Sequence, residues 1–150
     1  MLNAEKFKGR ILELADADYL FSVDRRDNKI KACRVSECTE CLLNSGNCAH
    51  SRTKWLLSEY KEPIKLSRFE YSLLRHVYKL NHKYIARDKN GDISLYLDEP
   101  DKDLLTEIWH GKEYEFTLFN SLFKFVKWED KKPTSIQDIL DNCEVIEDDL

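Results

Sequence analysis

Cys33-Arg-Val-Ser-Glu-Cys38-Thr-Glu-Cys41-Leu-Leu-Asn-Ser-Gly-Asn-Cys48 holds four of the chain's five cysteines within sixteen residues, spaced C-x4-C-x2-C-x6-C. Thiolates are soft ligands, and four of them at about 2.3 Å complete a tetrahedral zinc site. Cys38 and Cys41 offer two ligands from one tight turn, and Gly46 with Asn47 lets the chain bend before Cys48. Four thiolates leave no position for water or substrate, so the spacing predicts a structural zinc on Cys33, Cys38, Cys41 and Cys48. His50, two residues after Cys48, is an alternative fourth ligand. Iron–sulfur chemistry, redox dithiols and disulfides are the competing readings. The N-terminus is polar and opens an amphipathic helix, so no secretory address is expected, and disulfides belong to oxidising compartments.

The flanks of this stretch set the architecture. Phe7, Ile11, Leu14 and Ala15 recur at helical spacing and predict a helix over 3–16, with Asn3 as its cap. Residues 19–24 read as a strand, 25–28 as a turn and 29–32 as a return strand that delivers the chain to Cys33. A second helix is expected over 48–60 with Trp55 and Leu56 inward, ended by Pro63. Residues 1–62 thus form a helix, hairpin and zinc-knuckle part.

Residues 63–150 read as an α+β part, the two parts forming either separate lobes or one compact domain. Ser67-Arg-Phe-Glu70 is a capping box, opening a helix to about Leu80 with Phe69, Leu73, Leu74, Val77 and Leu80 as its apolar stripe. Tyr84 to Leu97 is the strongest hairpin signal, with Asn90-Gly91 as a type I′ turn. Residues 101–112 read as a charged connector, short helix or irregular turn. Phe123 and Phe125 alternate with Lys124 and Val126, which predicts a strand over 122–128 in the same sheet. Ser135 and Asp138 cap a last helix carrying Ile136, Ile139 and Leu140. Cys143 reads as a lone thiol and 144–150 as a mobile acidic tail. The fold class is α+β: a four-cysteine zinc knuckle on an N-terminal helix and hairpin, then helices packed on a small antiparallel sheet.

Charge is uneven. The net −4 resolves into +1 over residues 1–60, +5 over 61–90 and −10 over 91–150. An acidic C-terminal portion opposes general nucleic-acid binding and suits a partner with a basic groove. Asp98, Glu99, Asp101, Asp103, Glu107, Glu113 and Glu115 are the candidate partner-binding residues, with further acidic residues over 129–149. The knuckle loop carries Arg34 but also Glu37 and Glu40, poor chemistry for phosphate. No catalytic constellation, P-loop or dinucleotide fingerprint is present in the sequence, so no catalytic residue is assigned and no enzyme is expected. No apolar run approaches the roughly 20 residues of a membrane span. The chain is expected to be soluble, intracellular and without a membrane partner.

The pattern resembles small accessory proteins of phages and prophages in Gram-positive bacteria. The matching residues are Phe21-Ser-Val-Asp24 leading into Cys33, Cys38, Cys41 and Cys48, then Lys54-Trp55-Leu56 and Ser58-Glu59-Tyr60 with Glu62 and Pro63. Further on they are Tyr84-Ile-Ala-Arg-Asp88 with Gly91 and Tyr96, and Phe123, Phe125 and Trp128-Glu129-Asp130. Among zinc-binding proteins of that kind, the chain resembles an anti-CRISPR inhibitor of type II-A Cas9. The resemblance implies a non-enzymatic viral protein that binds Cas9, or its guide-RNA complex, in the cytoplasm of the bacterial host and blocks DNA targeting. It implies no direct sequence-specific contact with nucleic acid. The alternative is a phage regulatory or adaptor protein that binds nucleic acid or a host protein through the knuckle.

Overall fold

In this computed structural model the helix expected over 3–16 forms in two pieces, α1 (Asn3–Lys6) and α2 (Lys8–Asp16). The break falls at Phe7, whose ring stacks on Trp55 at 5.4 Å and meets Tyr60 edge-on at 5.8 Å. Asn3 is not the cap. It is buried, and its side-chain amide donates to the Trp55 carbonyl at 2.8 Å. The structure describes residues 1–112 and 116–147. It divides into two compact units, Met1–Lys65 with Asp141–Val145, and Leu66–Leu140 with the chain from Ile146.

In the first unit, β1 (Phe21–Val23) and β2 (Ile30–Ala32) pair antiparallel, Phe21 opposite Ala32 and Val23 opposite Ile30. Single 3-10 turns follow at Cys33–Val35 and Cys38–Glu40, then α3 (Cys48–Leu56). Asn47 caps α3 by accepting the His50 N–H, and Gly46 takes the left-handed backbone (φ 81°) that the bend needs. The core here is Leu14, Phe21, Val23, Ile30, Cys41 and Leu43, closed by Phe7, Trp55 and Leu56. Burial of about 1.5–3 kcal/mol per large apolar side chain is what holds these short elements together. After β3 (Ile64–Ser67) the chain leaves this unit.

The second unit opens on α4 (Arg68–Lys79) with its capping box intact: Glu70 N–H donates to Ser67 Oγ, and Ser67 N–H to Glu70 Oε1, both at 3.0 Å. Its buried stripe is Tyr71, Leu74 and Val77, while the expected Phe69 and Leu80 are exposed. Tyr71, one turn before Leu74, takes the place that Phe69 was expected to fill. β4 (Tyr84–Arg87) and β5 (Ile93–Tyr96) pair in the expected register region, Tyr84 opposite Tyr96 and Arg87 opposite Ile93. Their turn is not type I′. Gly91 alone has positive φ, its N–H reaches the Asp88 carbonyl, and Asp88 N–H pairs with the Asp92 carbonyl. That is a type I turn closed by a glycine bulge.

Residues 101–112 are not a helix or irregular connector. They contain a hairpin of β6 (Asp101–Asp103) and β7 (Ile108–His110). The outer strands of the main sheet are β8 (Phe116–Leu118), beside β5, and β9 (Thr134–Ser135), beside β4. The strand expected over 122–128 is absent. That segment is a chain of turns, with Phe123 and Val126 buried and Phe123 at φ 51°. α5 (Ile136–Asp141) follows with Ile136, Ile139 and Leu140 buried as expected. The chain then forms β10 (Cys143–Ile146), where a mobile tail was expected; the rest of that expectation, at 148–150, lies outside the described residues. The architecture is mixed helix and small antiparallel sheets, the α+β class.

Candidate functional site: the cysteine segment and the acidic hairpin

The cysteine segment is pinned to the β1–β2 hairpin by backbone bonds. Cys33 N–H donates to the Leu20 carbonyl, Arg25 N–H to Glu40, and Leu42 N–H to Val23. Asp24 forms an isolated antiparallel bridge with Cys41. The Asp24 carboxylate organises this corner. Its side chain is 6% exposed and accepts from Lys31 Nζ at 2.7 Å, from Arg26 Nη2 at 3.2 Å and from the Arg26 backbone N–H at 2.8 Å. Burial alone would raise its pKa, but the bonds from Arg26 and Lys31 outweigh it and hold the carboxyl at about 2.

The donor chemistry suits zinc: Cys33, Cys38, Cys41 and Cys48 are all free of disulfides. Cys38 and Cys41 are the two that share one local turn, in which Cys41 N–H donates to the Cys38 carbonyl at 3.2 Å. Cys48 begins α3, and Arg52, one helical turn on, donates from Nη2 to Cys33 Sγ at 3.6 Å and from Nε to the Phe21 carbonyl at 2.9 Å. Cys33 therefore lies beside Leu20 and the α3 side, whereas Cys41 lies beside Asp24. Among the described residues, no group of three or more His, Cys, Asp or Glu side chains is placed to hold a metal ion. His50 is exposed at the first turn of α3.

Cys143 is buried and donates weakly to the Arg25 carbonyl at 3.6 Å. Burial pushes its pKa up to about 12, with Asp141 adding to the rise, so it stays a thiol at neutral pH and is a poor nucleophile.

The structure places Asp98, Glu99, Asp101, Asp103 and Glu107 on or just before the β6–β7 hairpin; Glu113 and Glu115 lie outside the described residues. Asp98, Glu99 and Asp101 are exposed and have no ion pair among the described residues. Asp103 is structural. Its Oδ1 accepts from the N–H groups of Leu105 (2.8 Å) and Thr106 (3.3 Å), which lowers its pKa. Glu107, at φ 60°, pairs with Lys89 at 2.6 Å.

Sequence reasoning missed what mounts this hairpin. Trp109 is buried, and its backbone N–H donates to Asp88 Oδ1 at 2.7 Å while its indole N–H donates to the Arg87 carbonyl at 3.1 Å. Lys102 sits over the Trp128 ring at 4.1 Å and donates to the carbonyls of Trp128 and Asp130. The signal was present as a lone lysine among acids, Lys102, followed by Trp109 and Trp128, but their meeting depends on contacts distant in sequence. Comparison with known proteins finds no matching family model, no matching curated protein and no matching solved structure.

Proposed function

We propose that the chain is a phage-encoded anti-CRISPR protein that binds type II-A Cas9, or its guide-RNA complex, and blocks DNA targeting without catalysis. It acts in the cytoplasm of the bacterial host. The observation that supports a binding role best is the acidic hairpin. Asp98, Glu99 and Asp101 are exposed and unneutralised by described cations, on a mount fixed through Trp109 and Lys102. Cas9-type effectors hold nucleic acid in positively charged channels, and fixed carboxylates compete there with phosphate. Cys33, Cys38, Cys41 and Cys48 are the residues that would hold a structural zinc, with Arg52 releasing the Cys33 sulfur.

Size-exclusion of the purified protein with guide-loaded Cas9, with metal measured in each fraction, tests both parts. Co-elution carrying about one zinc per chain is the expected result, a closed thiolate site contributing on the order of 10 kcal/mol of folding energy. Cys38→Ser then removes the metal and the complex together. A protein that elutes apart from Cas9 but binds DNA in a salt-sensitive manner is the adaptor instead. A Cys38→Ser variant with full affinity and no metal would show that zinc has no part in the activity.

A further inference from the structure

Between β6 and β7 the chain turns through Leu104, Leu105, Thr106 and Glu107, and the two leucines are 74% and 95% exposed. Single exposed leucines are ordinary on protein surfaces. This pair differs in three ways: the two are adjacent, they stand at the tip of a hairpin, and the tip is rigidly held. Asp103 clasps the backbone N–H groups of Leu105 and Thr106. Thr106 Oγ1 lies 3.2 Å from His110 Nε2 across the turn. Lys89 fixes Glu107 twice, by its backbone N–H to the Glu107 carbonyl at 3.2 Å and by its ammonium to the carboxylate. Glu107 itself holds a left-handed backbone, strained for a non-glycine residue, which the surrounding bonds must over-determine. At the base, Tyr96 OH donates to the Trp109 carbonyl, and the rings of Trp109 and Trp128 meet edge-on at 6.4 Å.

None of these braces uses the leucine side chains. The hairpin spends its hydrogen bonds on presenting them to solvent. A loop ordered before binding loses little entropy on binding, so two leucines held this way can act as an anchor. The chemistry of the receiving surface follows from the flanks. Of the five carboxylates over residues 98–110, Glu107 pairs with Lys89 and Asp103 holds its own turn, while Asp98, Glu99 and Asp101 are exposed; the one lysine, Lys102, is engaged with Trp128 and Asp130. Such a collar is repelled by nucleic acid and by an anionic membrane, and it is matched by Lys or Arg around the mouth of an apolar pocket.

We infer that Leu104 and Leu105 are the anchor by which this chain docks into an apolar pocket, rimmed by Lys and Arg, on a partner protein. The inference rests on the binding role proposed above but not on the partner being Cas9. In it, the leucines supply the short-range contact that slows dissociation, and Asp98, Glu99 and Asp101 steer the approach. Truncating a central apolar anchor typically weakens a complex by about 10-fold or more, whereas rim charges act mainly on the association rate.

The test places the photocrosslinking amino acid p-benzoylphenylalanine at position 105, and separately at exposed position 57, in the full-length protein. It is expressed in cells of the bacterial host, and the adducts are mapped by mass spectrometry. The expected result is an adduct from position 105, absent from position 57, to one protein at an apolar pocket flanked by Lys or Arg. The yield falls about 10-fold or more when Leu104→Ser is added and less when Asp98→Lys is added. An adduct to Cas9 supports both the anchor and the inhibitor. An adduct at such a pocket on another protein supports the anchor and overturns the inhibitor. An adduct to Cas9 from position 57 alone keeps the inhibitor and overturns the anchor. No adduct from position 105, an adduct to nucleic acid or lipid, or one to a second copy of this chain overturns the anchor. Both leucines are exposed, so Leu104→Ser is expected to leave the melting temperature unchanged, and a fall in melting temperature would itself overturn the claim that the pair is free of structural duty.

Discussion

Each unit of this chain fixes one charged side chain near a turn, buried Asp24 in the first and half-buried Arg87 in the second, and the two are satisfied in opposite ways. Asp24, in the first unit, is satisfied by opposite charge: Lys31 and Arg26 both bond its carboxylate. Arg87, in the second, is satisfied by neutral backbone. Its Nε donates to the Val126 carbonyl (2.7 Å), Nη1 to Gly91 (2.7 Å) and Asn120 (3.0 Å), and Nη2 to Leu122 (2.7 Å) and Phe123 (3.1 Å). A guanidinium has five N–H donors, and here all five find carbonyls. Burial lowers its pKa, but an arginine stays charged throughout the accessible pH range. The first arrangement is therefore titratable and the second is not. The first ties residues close in sequence, while the second shapes a loop more than thirty residues away.

Arg87→Ala should have the largest effect in the molecule. It orphans four carbonyls between Asn120 and Val126 and that of Gly91, and losing several charge-assisted bonds to a half-buried loop costs roughly 3 kcal/mol. Arg87→Lys should recover less than half of that, because an ammonium offers three donors and no planar fork. Urea unfolding, with near-ultraviolet circular dichroism reporting Trp109 and Trp128, measures both. Equal stability of Arg87→Lys and the wild type would show that charge, and not fork geometry, holds the loop, which would erase the contrast with Asp24.

Asp24→Asn should cost less, about 2 kcal/mol near neutral pH, because Arg26 and Lys31 are partly exposed and recover water when released. The pH dependence carries the sign. The folded pKa of about 2 lies below the ordinary 3.8, so the contribution is present in full above about pH 4 and is lost as pH falls through 2. The amide protection factors of Val23 and Ile30 should fall in the wild type over that window. In Asp24→Asn these factors, which correct the rate for the intrinsic pH dependence of exchange, should already be low and nearly flat. Parallel curves for the two proteins would mean that the carboxylate is not what makes this hairpin acid-sensitive.

The same division between local and distant contacts governs how much could be read in advance. The Ser67 capping box, the α5 cap at Ser135 and the β1–β2 and β4–β5 hairpins were legible because each is decided within a few residues. The glycine bulge at Gly91 was misread as type I′ because Asn90-Gly91 fits both turns, and Asn90 here spends its amide on Asp92 instead. The segment 122–128 alternates like a strand, yet Arg87 takes the carbonyls of Leu122, Phe123 and Val126, which a strand ladder would need. The β6–β7 hairpin escaped notice because its strands are three residues each and half charged, and Trp109 is what gives it a buried side. The cysteine spacing pointed to one quartet. Among the described residues no group of three or more His, Cys, Asp or Glu side chains is placed together to hold a metal ion.

The smallest effect lies where a local motif has been recruited to the distant one. Ser67→Ala removes the acceptor for the Glu70 N–H and should cost about 1 kcal/mol, the usual value of a serine cap. Glu70 does two jobs. Oε1 accepts from Ser67 N–H to complete the box, while Oε2 accepts from Phe123 N–H at 2.6 Å, inside the loop that Arg87 shapes. Glu70→Ala should therefore cost about twice as much as Ser67→Ala, since it orphans a second N–H at a buried residue. In a double-mutant cycle with Arg87→Ala, Ser67→Ala should be additive and Glu70→Ala should not, because only Glu70 shares the Phe123 segment with Arg87. Additivity of both would separate the loop from the cap, and would mean that the Phe123 turn is held by the guanidinium alone.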